Sequence, residues 1–368
     1  MIRILHILKG MDCGGIETFI MNVYRNIDRK KIQFDFLVHT KNEKAFDKEI
    51  TSLGGKIYSV PDRSEGIILN RIKLEEFFST HTGYKIVHQH VSSLSYIEPL
   101  KVAKKFGIPI RIVHGHSTNQ GGNKIHRYIH YLNQLVIQKY ATHYFACSDA
   151  SKKWMYGQKK LGTRYKLIKN GIDINRFIFN PETRKNMRKK LNIDEKFVIG
   201  HVGRFSHPKN HEFIIDVFRE IHIRNKNAVL LLIGDGNLRN HIEDKVVQLG
   251  LTNSVIFTGI QSDVSPMLQA MDVFLFPSIY EGLGIAVIEA QSSGLPCIVS
   301  DQVPREALVT DNVEVVSLQS SPSQWADKVL RYNDKYDRKN TFSQIRLNGY
   351  DINEISEWLQ NFYLRLGK

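Results

Sequence analysis

Two carboxylates eight residues apart, Glu281 and Glu289, mark the most informative segment of the sequence, YEGLGIAVIEAQSSGLPCIVSD (280–301). Glu281 precedes a helix predicted to begin around Gly284. Glu289 falls inside that helix, among Ile285, Ala286, Val287, Ile288 and Ala290. A carboxylate in so apolar a setting costs several kcal/mol if buried unpaired, so it needs hydrogen-bond donors. Ribose hydroxyls are suitable donors, and Gly282 and Gly284 would free backbone N–H groups to meet a sugar or phosphate. The plain alternative is a helix carrying an exposed glutamate.

Cations come from GRFSHPKN (203–210). Arg204 and Lys209 sit in the loop after a predicted strand, before a helix starting near Asn210. Two cations and a helix N-terminus suit a diphosphate, Arg by bidentate contact and Lys as a point charge. Near the start, Gly14 and Gly15 stand between strand 3–8 and a helix with apolar Phe19, Ile20 and Val23. Glycine there lets backbone approach a ligand, although the turn is no dinucleotide fingerprint and a merely structural turn reads equally well. RIVHGHST brings His114 and His116 to a strand's C-terminal end, followed by Ser117, Thr118, Gly121 and Gly122. At spacing i, i+2 both rings share a face, so both point into a ligand site or both into packing.

The elements that must position these groups alternate along 368 residues, enough for two domains. Strand candidates in the first half are 3–8, 33–39, 56–61, 85–91, 111–116 and 143–148. In the second they are 197–203, 228–234, 255–259, 273–278, 296–300 and 314–318. Amphipathic segments separate them, the rhythm of an α/β protein with parallel sheets. Residues 170–190 read as a linker entering a short helix. Two doubly wound domains would place ligands outside their strand C-termini, in a cleft between facing domains.

Composition narrows the class. Apolar runs are strand-length, so no transmembrane helix is expected, and 1–8 is too short for a signal peptide. Cys13, Cys147 and Cys297 form no CxxC, which excludes a zinc knuckle and fits a reducing cytosol. The net charge of +14 is concentrated in residues 101–200, with 21 basic against 5 acidic side chains. That points to an anionic partner. No helix-turn-helix, zinc finger or RNP-type strand supports nucleic acid, so none is expected as a partner.

Together GGIETFIMNVYR, IQFDFLV, RIVHGHS, IKNGID, GHVGRFSHPKN, LLIGDGNL and EGLGIAVIEAQSSGLPCIVSD resemble the retaining bacterial glycosyltransferases of family 4 (group 1), in their exopolysaccharide and capsule subgroup. The resemblance runs almost the whole chain. One departure, DQVPREAL with Pro304-Arg305 before Glu306, touches only local loop shape. The resemblance implies the GT-B fold: two Rossmann-like domains facing a cleft, with a C-terminal helix crossing back. The acceptor domain would be 1–171 plus helix 352–368, and the donor domain 172–351. Arg204 and Lys209 match the pair that stabilises a departing diphosphate, Glu289 the ribose ligand, and Glu281 the carboxylate near the donor sugar. Gly15, beside Gly14, matches the glycine close to the phosphate, and His116 the active-site histidine, with His114 less certain. Loops around Gly234, Gly259–Ser262 and Gly282, Leu283, Gly284 and Ile285 would select base and sugar.

The implied activity is retaining transfer of a sugar, UDP-linked hexose or N-acetylhexosamine, to a lipid-linked oligosaccharide acceptor. No D-x-D triplet occurs, so neither a metal nor another cofactor is expected. A nucleotide-sugar epimerase or hydrolase of the same fold is the alternative. Helix 148–161, with Lys152, Lys153, Lys159 and Lys160 beside Trp154 and Tyr156, suits peripheral docking on an anionic membrane surface from the cytoplasmic side. Otherwise its aromatics pack in the core and its lysines are simply wet.

Overall fold

The computed structural model describes residues 1–12, 14–117, 124–333 and 336–367. Chain contacts divide it into two units, Met1–Ile172 with Gly349–Lys368, and Asp173–Asn348. Each is a wholly parallel sheet flanked by helices.

The first sheet contains β1 (Ile2–Leu8), β2 (Ile32–Val38), β3 (Ile57–Ser59), β4 (Ile86–Val91), β5 (Ile110–Gly115), β6 (His143–Ala146) and β7 (Tyr165–Leu167), in the order β3-β2-β1-β4-β5-β6-β7. All but β7 were anticipated. That edge strand is three residues long and reads as a mixed polar run. Period-two alternation sends Leu5, Ile7, Leu37, Val87 and Val113 to one face, where helices Ile67–Thr80 and Glu98–Lys105 cover them. The other face carries Ile4, Phe34, Phe36, Ile86, Ile112 and Phe145. Helix Gly15–Asn26 and the C-terminal helix Ile352–Leu366 close it with Phe19, Ile20, Leu359, Phe362 and Tyr363.

The second sheet contains β8 (Phe197–Val202), β9 (Ala228–Ile233), β10 (Val255–Phe257), β11 (Val273–Phe276), β12 (Cys297–Ser300) and β13 (Val313–Val316), ordered β10-β9-β8-β11-β12-β13. In both sheets the strand order reverses beside the first strand, between β1 and β4 and between β8 and β11. Such reversals splay the following loops apart and leave a crevice at the strand C-termini.

The segment 170–190 holds more helix than a linker: Ile174–Phe177 and Pro181–Leu191, the latter capped by Asn180. Its cations are structural. Arg184 and Arg188 both reach Asp272, which also accepts from the Val198 N–H at 2.7 Å. The same two arginines, with Arg338, donate to the carbonyls of Leu268, Gln269, Ala270 and Met271 at the end of helix Ser265–Ala270. Three cations thereby satisfy acceptors that a helix terminus leaves open. Burial, with Arg184 nearby, pulls the Arg338 guanidinium down to about 9.

Replacing Asp272 leaves two arginines and a strand N–H without their shared acceptor. Asp272→Ala should cost about 2–3 kcal/mol, less than a fully buried pair because the carboxylate is part-exposed. For a unit of this size that is a drop of about 5–10 °C in thermal midpoint, measurable by calorimetry. An unchanged midpoint would remove the cluster's structural role.

Candidate active site

In the second unit the switch-point loops bring the predicted residues together. The loop after β8 is clamped by backbone contacts: Gly203 N–H donates to the Ile233 carbonyl at 3.0 Å and Phe205 N–H to that of Asp235 at 3.0 Å. Gly234, at φ +130°, packs directly on the Gly203 carbonyl and has no room for a Cβ; its N–H donates to the Gly259 carbonyl at 2.9 Å. Phe205 is buried and stacks on His211 with ring centroids 4.0 Å apart. Arg204 lies between these anchors with its own side chain exposed.

Lys209 ends a short 3-10 turn, His207–Lys209, which Asn210 terminates in the left-handed region. The turn is tied to the loop after β11 through Asn210 Nδ2 to the Pro277 carbonyl (3.1 Å) and Ile279 N–H to the Pro208 carbonyl (2.8 Å). These ties bring Lys209 Nζ to 2.6 Å from Glu281 Oε1, over the Phe276 ring at 4.7 Å. The Glu281 side chain is only 8% exposed. Two groups assigned to different ligand parts are therefore ion-paired with each other, which the sequence did not signal. Lys209 is held in place by that pair, and Arg204 is the cation left with its charge turned outward.

Beyond Glu281, Gly282 has open space where a side chain would stand, Leu283 is buried, and Gly284 (φ +83°) starts helix Ile285–Ser292. The carboxylate of Glu289, in its second turn, takes no hydrogen bond among the described residues; only its backbone carbonyl accepts, from Ser293. Burial pushes its carboxyl up to about 7, opposed by Arg176 and reinforced by Asp263. Arg176 and Asp263, themselves paired at 2.9 Å, went unnoticed in the sequence. Arg176 lay hidden in the supposed linker, where only its place in NRF, between turn residues, could have drawn attention.

The first unit assembles a second group. Gly14 is the N-cap of helix Gly15–Asn26, with the Glu17 carboxylate against it, and Gly15 faces open space. His114 is fully buried. His116 continues the ladder through its N–H to the Val91 carbonyl, and its Nε2 lies 2.9 Å from His90 Nδ1. Phe19 packs on both rings. Both histidines therefore turn to the sheet face, and His114 belongs to packing. Thr118, Gly121 and Gly122 lie outside the described residues, as does Cys13. Two histidine trios, His6/His88/His90 and His90/His114/His116, bring ring nitrogens within 4.8 Å of one another and are the described groups able to hold a metal.

A cavity of about 650 Å³ opens beside these strands. Lys9, Arg63 and His39 stand in its wall with Ile67, Ile125 and Ile129. The Arg63 guanidinium donates to the Ser95 carbonyl at 2.7 Å and lies over Tyr96. Sequence reading missed this cavity because its residues come from five separated segments.

Residues 148–161 behave as packing. Trp154 stacks on His130 at 3.8 Å and donates Nε1–H to the Ser92 carbonyl, and Tyr156 is buried with its hydroxyl bonded to Val113 and Phe145 carbonyls. Exposed apolar side chains lie instead on helix Lys124–Val136, where Ile125, Tyr128, Leu132 and Leu135 are 45–69% exposed, and at the start of helix Ile67–Thr80, with Ile67, Ile68 and Ile72. No helix among the described residues is long and apolar enough to cross a membrane.

Glu289 gives a measurable sign. A carboxyl held at about 7 in the fold, against 4.5 ordinarily, keeps its proton after the unfolded chain has lost it. Stability from this group therefore falls as pH rises from about 4.5 to about 7 and stays lowered above that. Glu289→Gln should be the more stable form at pH 8, by about 1 kcal/mol after solvent screening, with no gain at pH 4. Thermal midpoints at both pH values test this; an equal difference at each would refute it.

Comparison with known proteins agrees with these groupings. Residues 13–176 match the Glycosyltransferase Family 4 model and residues 183–346 the Glycosyl transferases group 1 model. EpsF of Bacillus subtilis (strain 168), named as a glycosyltransferase, is 33% identical over 98% of this chain and 96% of its own. The capsular polysaccharide biosynthesis glycosyltransferase CapH of Staphylococcus aureus is 26% identical over 99% of both. An Escherichia coli UDP-Gal:alpha-D-GlcNAc-diphosphoundecaprenol alpha-1,3-galactosyltransferase is 26% identical over 76% of this chain and 75% of its own. Anabaena Alr3699/HepE, solved with UDP and glucose, superposes with a TM-score of 0.78 over 98% of this chain and 99% of that one, at 18% identity, a likeness of fold. With a third of its residues identical to one such enzyme over almost its full length, and both models matched in chain order, the chain belongs to the group 1, family 4 glycosyltransferases of GT-B fold.

Proposed function

We propose that this glycosyltransferase moves a hexose or N-acetylhexosamine from a UDP-sugar to a lipid-linked oligosaccharide in exopolysaccharide or capsule synthesis, with retention of configuration and without a metal. The observation that carries the donor half is the Lys209–Glu281 pair beside exposed Arg204, with Glu289 eight residues on lacking a donor. Breaking the anomeric C–O bond leaves growing negative charge on the diphosphate. Arg204, Lys209 and the N–H groups near Gly284 stabilise that charge, and Glu281 keeps Lys209 from swinging away. The Glu289 carboxylate takes the ribose hydroxyls. UDP bound to the Anabaena structure and UDP-Gal in the name of the Escherichia coli relative support this donor.

The acceptor half rests on the first-unit cavity. An anionic diphosphate suits Lys9 and Arg63, and an apolar tail suits Ile67, Ile125 and Ile129. The diphosphoundecaprenol acceptor named for the Escherichia coli relative has that chemistry. The outward stripe of helix Lys124–Val136, with Lys124 and Arg127 beside it, then meets the anionic membrane surface holding such an acceptor.

Arg204→Ala and Lys209→Ala should each lower turnover by about 10²–10³-fold with the fold intact. Activity should survive EDTA and require acceptor. Near-normal turnover in both variants, loss to EDTA restored by Mn²⁺ or Mg²⁺, or equal donor turnover without acceptor would each count against the corresponding part. A panel of UDP-, GDP- and ADP-sugars in a thermal-shift assay identifies the donor.

Anionic vesicles should float the protein at low salt. Leu132→Glu with Leu135→Glu should abolish flotation, and charge-neutralising the four lysines of 152–160 should weaken it. Absence of binding by the unaltered chain at low salt rejects membrane docking.

A further inference from the structure

Five histidines share one face of the first sheet: His6 on β1, His88 and His90 on β4, His114 on β5 and His116 just beyond it. Parallel register sets His6 beside His88 and His90 beside His114. Phe36 and Phe145 flank the group, and Tyr363 of the C-terminal helix closes over it, its hydroxyl 2.7 Å from His88 Nδ1.

Three of the rings form one connected row. His6 Nδ1 lies 2.9 Å from His90 Nε2, and His90 Nδ1 lies 2.9 Å from His116 Nε2. The ring planes in these pairs differ by 20° and 29°, with centroids 5.2 and 5.1 Å apart, so the rings meet edge to edge. The His88–His90 and His114–His116 centroids are 4.2 and 4.0 Å apart, rings lying over one another. Burial, far more than any charge nearby, holds all five uncharged in ordinary buffers. The charged groups nearby are few: Asp35 acts on His6, and the histidines act on each other.

Neutral imidazole carries one N–H, so His90 donates in one of its two bonds and accepts in the other. Only two arrangements satisfy both. In one, every ring carries hydrogen on Nδ1. His6 Nε2 is then a bare acceptor and His116 presents Nδ1–H. In the other, every hydrogen sits on Nε2, leaving a buried N–H on His6 without a partner. The first leaves a buried N–H at His116 and the second one at His6, so the choice turns on which end has an acceptor at hand. The far end has one. His116 Nδ1 and Asn170 Oδ1 are both buried and unbonded, and Asn170 acts on the His116 ring in the direction that favours its protonated form. With Nε2 taken up by His90, an acceptor oxygen at this end selects the first arrangement.

We propose that His6 and His90 are positioning residues that lock His116 in the Nδ1–H tautomer, making it a neutral hydrogen-bond donor and never a general base. Asn170 of IKNGID is a nearby acceptor for that hydrogen, and a sugar or acceptor hydroxyl takes it when one displaces Asn170. The inference rests on the functional reading only where His116 meets substrate; the tautomer stands apart from it.

Long-range ¹H–¹⁵N spectra of the ¹⁵N-histidine-labelled full chain report each tautomer directly. His6, His90 and His116 should all appear as Nδ1–H from pH 5.5 to 8. His90→Leu should release His116, shifting it toward exchange with the Nε2–H form and bringing a titration near its ordinary value. His90→Asn keeps a donor at the Nδ1 position and should restore the tautomer. In turnover, His90→Leu should introduce a pH dependence between 5.5 and 7.5 that His90→Asn lacks. An Nε2–H signal for His116, or one unchanged by His90→Leu, overturns the proposal. So does stoichiometric zinc in the purified chain whose removal moves the histidine signals. Loss of transferase activity in every form, with the tautomers as stated, would fail the functional reading and leave the relay standing.

Discussion

Parallel hydrogen-bond register is the constraint on which the chemistry of this molecule depends. It forces every strand of a sheet to end at the same edge, so residues far apart in sequence meet only in loops at that edge. Where strand order reverses, the two loops beside the break diverge and leave room. In the second unit those are the loops holding Arg204 with Lys209 and Glu281 with Gly284. In the first unit they include Gly14, Gly15 and the segment after β4 that walls the cavity. The same register aligns side chains across strands at period two, which converts scattered histidines into one row.

Charge is distributed with economy. Most cations of the basic segment 101–200 do local work, such as Arg184 and Arg188 on helix carbonyls and Lys152 over the Tyr165 ring at 4.6 Å. In the candidate site of the second unit one cation is already neutralised by a carboxylate and one is left open. A preformed Lys209–Glu281 pair holds its geometry before ligand arrives, so little reorganisation remains when charge develops. Glu289 is the opposite case, a part-buried carboxyl with no cation paired to it.

Much of this was legible in the sequence. Twelve of the thirteen strands announce themselves as short apolar runs, and Glu281, Gly284 and Glu289 stand where helix periodicity puts them. The missed strand, β7, is stabilised by pairing with β6 and not by its own apolarity. Side-chain partnerships were illegible for a plainer reason. The Lys209–Glu281 pair joins residues 72 apart, and the His6–His90–His116 row joins residues up to 110 apart; only the register brings them together. At 148–161 spacing left open whether Trp154 faces a neighbour or solvent, and the fold sets it against His130.

The C-terminal helix Ile352–Leu366 has a consequence for how the chain is made. Residues 173–348 are synthesised as a block before the helix that completes the cover of the first sheet exists. A nascent chain therefore carries its second unit while Tyr363, Leu359 and Phe362 are still missing from the first, and the histidine face is covered by Phe19, without the Tyr363 hydroxyl on His88. Arrival of the final helix is the step that seals the row and gives His88 its hydroxyl partner.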